Sequence, residues 1–213
     1  CPDFKPTKDM NGEVDDPFPM EDCLFEETFS NESVYNLSGH ELRIKQLFGA
    51  NLGVAAPVWE AAIHLSNYLA ERSAELKGKR VIELGSGTGL LGIFAARLGA
   101  VVTLTDLPVA LPPISANVGA NTPSGGWPSL PPHFPSDWDL VLGADIIYIP
   151  ETFPLLIETL VHLCRSGTVV FFCSKMRKEH RTHIFMRIIC PPGSTWSLCN
   201  EMNSRILTFI RRL

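Results

Sequence analysis

The sequence predicts an α/β fold: a mostly parallel, doubly wound sheet with helices on both faces, preceded by an N-terminal antiparallel β-hairpin. Three observations carry this. An apolar run, a glycine cluster and a helical apolar pattern follow one another from Val81 to Leu98, which reads as strand, tight turn and helix. A β-branched run, Val101 to Thr105, comes directly after Gly99-Ala100 and completes a βαβ unit. The alternation then continues, with buried-strand patterns at Trp138 to Ala144 and Thr168 to Cys173 around a helical pattern at Glu151 to Arg165.

In chain order, residues 1–22 are polar, acidic and carry Pro2, Pro6, Pro17 and Pro19, the composition of a mobile tail. That leaves residues 23–213 as a single domain. Val34, Tyr35 and Leu37, a turn at Ser38-Gly39, and Leu42, Ile44 and Leu47 predict the hairpin. A helix is expected from Val54 to Arg72, with Pro57 in its first turn and Val58, Ala62, Leu65 and Leu69 as its buried face. Trp59 lies beside that stripe. After Asp106 comes a helix that Pro112-Pro113 must interrupt or restart. Thr122 to Ser136 is rich in proline and glycine and holds no convincing strand, although a doubly wound sheet calls for one there. Lys178 to Ile189 reads as a basic helix, and Thr195 to Cys199 and Arg205 to Ile210 as short strands.

Composition narrows the function. The 213 residues are 45% hydrophobic and 19% charged, an ordinary globular balance. A net charge of −5 argues against a nucleic-acid partner held through its phosphates. The six cysteines have no zinc or redox-pair spacing, which predicts no metal site and a reducing, cytoplasmic setting. His162, His180 and His183 read as surface or packing residues. No apolar run reaches the ~18 residues of a transmembrane helix, so no membrane partner is expected. The chain begins at Cys1, which leaves a preceding segment open.

The glycine cluster is the candidate ligand site. Gly85, Gly87, Gly89 and Gly92 follow a strand that ends Val-Ile-Glu83-Leu, and Asp106 stands at the tip of the next strand, 23 residues past Glu83. An acid at that place holds a ribose diol, so the unit reads as a site for a ribose-bearing cofactor. Gly87-x-Gly89-x-x-Gly92 fits the dinucleotide fingerprint formally. Glu83 at the strand exit would repel a pyrophosphate, however, and would favour a sulfonium cofactor that carries an ammonium group. That counts Glu83 among the cofactor residues. A nucleotide-dependent oxidoreductase stays open as the alternative.

Five segments in order, G-V-A-A-P-V-W-E-A-A, V-I-E-L-G-S-G-T-G-L-L-G, T-L-T-D-L-P, D-L-V-L-G-A-D-I-I-Y and S-K-M-R-K-E-H, resemble the methyltransferase-like 21 family of seven-strand protein-lysine methyltransferases. The resemblance spans roughly residues 24–180. It implies a Rossmann-like fold, S-adenosyl-L-methionine as cofactor, a monomer, and a protein substrate. In this family that substrate is translation elongation factor 1-alpha, the branch most like this chain, or a molecular chaperone. Carried over residue by residue, Trp59 packs on the cofactor, and Gly85, Ser86 and Gly87 pass beneath its methionine part. Asp106 binds the ribose, and Ala144 lines the pocket through its backbone. Asp145 and Tyr148 occupy the D-x-x-Y position, where Asp145 orients the substrate amine and Tyr148 walls its channel. The plainer reading of Asp145 is a carboxylate that holds loop amides at a strand end. Trp127 stands for the tryptophan near the adenine, but it precedes proline and its segment is short. That departure keeps a second alternative, a catalytically impaired binding module of the same fold. Ile146 and Ile147 stand where DNA amino-methylating enzymes carry two prolines, which disfavours a flipped base as substrate.

Overall fold

A computed structural model describes residues 29–49, 52–122, 137–175, 182, 184, 185, 196–202 and 206–212. The expected tail at 1–22, Trp127 with the proline-rich segment around it, and most of the expected basic helix lie outside the described residues.

Strands β1 (Phe29–Leu37) and β2 (His40–Phe48) form the expected hairpin, paired in register from Phe29–Phe48 to Leu37–His40. Its two-residue turn has Ser38 at φ 46° and Gly39 at φ 84°. Both central residues are left-handed, as a type I′ turn requires, and this matches the twist of the flanking strands. Leu42 and Ile44 on β2 are fully buried.

The next helix, α1, spans Glu60–Ala70, shorter than the Val54 to Arg72 expected. A 3-10 turn at Gly53–Ala55 leads into the chain before it, and Trp59 is extended, at φ −85° and ψ 144°. The physical reason is a tertiary contact. Gln46 of β2 accepts a hydrogen bond from Val58 N–H at 2.7 Å, and Pro57 has no N–H to give. The buried face of α1 is Ala61, Leu65, Ser66, Tyr68 and Leu69, while Val58 and Ala62 are half-buried. A single turn, α2 (Ser73–Leu76), then leads into β3 (Arg80–Leu84), α3 (Leu90–Arg97) and β4 (Val101–Thr105), the predicted βαβ unit.

After β4, a 3-10 turn at Pro108–Ala110 hands over to α4 (Leu111–Asn121), so the Pro112-Pro113 pair restarts the helix. Both prolines sit in its first turn, where a missing N–H costs nothing. The remaining elements are β5 (Leu140–Ala144), α5 (Phe153–Leu163), β6 (Val169–Lys175), β7 (Trp196–Met202) and β8 (Ile206–Arg212).

The main sheet has the order β4-β3-β5-β6-β8-β7. The first four strands are parallel, and β8 runs antiparallel to both β6 and β7. Strand alternation divides the core between the two faces. Val81, Leu140, Leu142, Phe171 and Cys173 join residues of β2, α1, α3 and α4. Ile82, Val141, Val170 and Phe172 join Trp138, Phe153, Leu160 and Leu163. The chain goes from β3 outward to β4, then returns past β3 to β5. That reversal opens a crevice at the carboxyl ends of β3 and β5, where ligands bind in open α/β sheets.

Candidate active site

The glycine loop leaves β3 and enters α3. Gly85, Gly87 and Gly89 have φ of 60°, 55° and 81°, a run of left-handed conformations that side chains oppose. The loop is pinned to β4. Ser86 N–H donates to Thr105 O at 2.9 Å, Thr105 N–H donates to Ser86 Oγ at 3.2 Å, and Thr105 Oγ1 donates to Glu83 O at 2.7 Å. Asp106 then closes it from the tip of β4. Its Oδ2 accepts from Gly87 N–H at 2.6 Å, and its Oδ1 accepts from Leu107 N–H at 2.7 Å.

Glu83 is buried beneath the loop. Its Oε2 accepts from Gly92 N–H in the first turn of α3 at 2.9 Å. Burial pushes its carboxyl up from 4.5 to about 8, against the opposing hydrogen bonds from Gly92 and Ser86. Gly92 is the close-packing glycine of the unit. A Cβ there would lie 2.0 Å from Leu104 Cδ2 and 2.6 Å from Glu83 Oε2.

Across the cleft stands the 53–59 segment. The outer face of Gly87 looks toward Ala55 O, 3.6 Å from where a Cβ would be. Trp59 is half-buried, and its Nε1 donates to Val54 O at 2.7 Å. Between the end of β6 and the start of α1, Lys175 Nζ pairs with Glu60 at 3.2 Å, which holds the exposed Glu60 carboxyl below its usual range.

Asp145 follows β5, whose last residue Ala144 is half-buried. Asp145 is buried and takes φ 58°. Its N–H donates to Cys173 O at 2.8 Å, and its Oδ1 accepts from Lys175 N–H at 3.0 Å. The carboxylate thus locks the ends of β5 and β6 together. Ile146 folds back over the strand ends, so that Cβ atoms at Gly85 and Gly143 would lie 2.8 and 2.6 Å from it. Tyr148 is half-buried. Burial first, and then the negative charge of Asp106, raise its phenol above the ordinary value of 10. Tyr148 and Asp106 therefore share one electrostatic environment. Among the described residues, no group of His, Cys, Asp and Glu could hold a metal ion.

Two residues that place the site escaped the sequence reading: Gln46, which holds Val58, and Asn117 of α4, which holds Thr88 of the glycine loop. Their signals were present, as a polar residue in step with Leu42 and Ile44, and an Asn-x-x-x-Asn repeat at helical spacing.

Comparison with known proteins shows the family. A family model described as lysine methyltransferase matches residues 36–190. The chain is 52% identical over 176 residues to EEF1A lysine methyltransferase 3 of Xenopus tropicalis, covering 79% of each chain. It is 48% identical over 191 residues to the Mus musculus protein of that name, covering 86% of this chain and 82% of the relative. It is also 46% identical to protein N-lysine methyltransferase METTL21A of Danio rerio, over 68% of this chain and 71% of the relative. The fold resembles a T. Thermophilus 16S rRNA methyltransferase in complex with AdoMet and guanosine. That TM-score is 0.64 at 16% identity, over 86% of this chain and half of the other. It also resembles magnesium protoporphyrin IX methyltransferase of Synechocystis with bound SAM, at TM-score 0.52 and 17% identity, over 70% and 77% of the two chains. With the glycine loop, the acid at the tip of β4 and the family match in agreement, the chain belongs to the lysine methyltransferase family.

Proposed function

We propose that the chain transfers a methyl group from S-adenosylmethionine to a lysine ε-amine of translation elongation factor 1-alpha, in the cytoplasm. The observation that supports this substrate most is the 52% and 48% identity to two proteins named EEF1A lysine methyltransferase 3.

The residues of the cleft fit the cofactor. Gly85 and Gly87 bring bare backbone to the loop surface, and Asp106 stands at the strand tip where a ribose diol is held. In this reading Gly85, Ser86 and Gly87 hold the methionine part, Asp106 the ribose, and Trp59 and Ala144 the sides. Glu83 acts from below, by holding the first turn of α3. When bound, the cofactor supplies a methyl group on a positive sulfonium, whose leaving group is a neutral thioether.

The protein's task is therefore positional. The lysine must arrive neutral, although its free pKa is about 10.4. Removal from water beside a positive centre favours that form. In line and in contact, the transfer needs no protonation of the leaving group. Asp145 orients the amine through its charge, and Tyr148, held as the neutral phenol, walls the channel.

Radiolabelled methyl transfer to purified elongation factor 1-alpha tests the substrate. A chain that binds S-adenosylmethionine but leaves this protein unlabelled would exclude it. Asp145→Asn tests the site. Asparagine tolerates the left-handed backbone, and its amide oxygen still accepts from Lys175 N–H. The charge and one acceptor oxygen are lost, so turnover should fall roughly 10²-fold while cofactor affinity changes little. Unchanged turnover would leave Asp145 with its strand-end role alone.

A further inference from the structure

Strand β2 is tied to both lips of the cofactor cleft. On one lip, Gln46 accepts from Val58 N–H at 2.7 Å, next to Trp59. On the other, the Asn117 amide joins β2 to the glycine loop. Its Oδ1 accepts from Lys45 N–H at 2.8 Å, and its Nδ2 donates to Lys45 O at 3.0 Å and to Thr88 O at 2.9 Å. Asn117 and Gln46 are both buried, and so is Thr88. The two lips face each other where Gly87 meets Ala55.

One helical turn along, Asn121 makes the same pattern without the loop. Its Oδ1 accepts from Arg43 N–H at 2.9 Å, and its Nδ2 donates to Arg43 O at 2.7 Å and to Asn117 O at 2.8 Å. The two asparagines thus serve the free edge of β2 as a neighbouring strand would, taking the N–H and C=O of Arg43 and Lys45 in turn. Only Asn117 extends that ladder to the ligand loop.

We propose that β2 is the brace of the cofactor cleft, and that Asn117 and Gln46 are positioning residues that set the spacing of its two lips for S-adenosylmethionine. The hairpin then contributes to binding without touching the ligand. This rests on placing the cofactor between the glycine loop and the 53–59 segment.

Asn121 supplies the internal control. Asn117→Ala and Asn121→Ala each remove one side-chain amide that serves β2, so a merely structural role predicts equal consequences. The brace predicts otherwise in calorimetric titration of the full chain with S-adenosylmethionine. Asn117→Ala should weaken binding about tenfold or more, the scale of a buried polar group left unpaired, and Asn121→Ala by about twofold or less. In methyl-transfer assays the Asn117 loss should appear as a raised KM for S-adenosylmethionine, with the KM for the protein substrate unchanged. Gln46→Met, which keeps the bulk and removes the acceptor on the opposite lip, should weaken binding as well and serves if Asn117→Ala does not fold. Equal losses in the two asparagine variants, or normal affinity in a folded Asn117→Ala or Gln46→Met protein, overturn the brace. Asp106→Ala run alongside separates the two levels. If it weakens binding and the brace variants do not, only the brace fails; if it binds normally, the cleft assignment and the brace fail together.

Discussion

Glu83→Gln should turn a pH-dependent liability into a pH-independent contact. In the folded chain the Glu83 carboxyl is pushed from 4.5 to about 8, first by burial. Such a difference is worth on the order of 5 kcal/mol between the two protonation states. The sign follows from linkage. Below pH 4.5 the carboxyl is protonated in both folded and unfolded chains, and its stabilising share is fully present. As pH rises the unfolded chain ionises freely while the folded one resists, so that share is lost until the folded group ionises near pH 8. Between these limits the wild-type chain should lose about 1.4 kcal/mol per pH unit relative to Glu83→Gln, or roughly 3 kcal/mol by pH 7. Against a typical total of about 5–15 kcal/mol this is large. Glutamine keeps the shape and the acceptor for Gly92 N–H, so the difference between the two proteins isolates the proton. Urea unfolding of both at pH 5, 6, 7 and 8 measures it, since every other titrating group cancels. A difference that stays flat across that range would refute the reasoning, and would mean that the carboxyl finds a solvent or cation partner when it ionises.

Three further outcomes follow from the same geometry. Gly92→Ala should destabilise the fold by about 1–3 kcal/mol in chemical denaturation, because its Cβ would overlap Leu104 and Glu83 in a packed layer; a neutral result would mean that α3 can lift off the sheet. Asp106→Ala removes both the proposed ribose contact and the acceptor for Gly87 N–H, so calorimetry should show S-adenosylmethionine affinity falling about tenfold or more; unchanged affinity in a folded protein would move the ribose elsewhere. Gly87→Val places a β-branched side chain at φ 55° facing Ala55, and should abolish cofactor binding while circular dichroism stays native.

What the sequence made legible is what local chemistry controls. The hairpin turn was readable because Ser38-Gly39 sits between two alternating runs, and the βαβ unit because glycines, an apolar helix face and two acids fall in a fixed order. A break at Pro112-Pro113 was readable because proline restricts its own backbone, and the structure decides for a restart over an interruption. The start of α1 was not. Helical periodicity extends through Val58, but Gln46, twelve residues earlier, takes the Val58 N–H and the chain stays extended to Trp59. Asn117 and Asn121 were missed for the same reason, since their partners lie 72 and 78 residues away in sequence. The strand exit counts Glu83 among the cofactor residues, but its burial against Gly92 depends on how α3 packs, which no spacing reveals.

The least expected feature is the backbone of Asp145. Among the described residues only Ser38 and Asp145 combine a side chain with positive φ, and Ser38 is explained by its turn type. For Asp145 the conformation costs about 1–2 kcal/mol, offset by two hydrogen bonds, its N–H to Cys173 O and its carboxylate from Lys175 N–H. The gain is directional. The left-handed residue turns the chain so that Ile146 lies across the ends of β3 and β5, where any side chain at Gly85 or Gly143 would collide with it. The glycine at the start of the cofactor loop and the one inside β5 are thus both fixed by the same isoleucine. Ile146 in turn couples the loop proposed to face the substrate with the loop proposed to hold the cofactor. A side chain at either glycine would have to displace Ile146, so Gly143, although inside a strand, bears on the loop proposed to face the substrate.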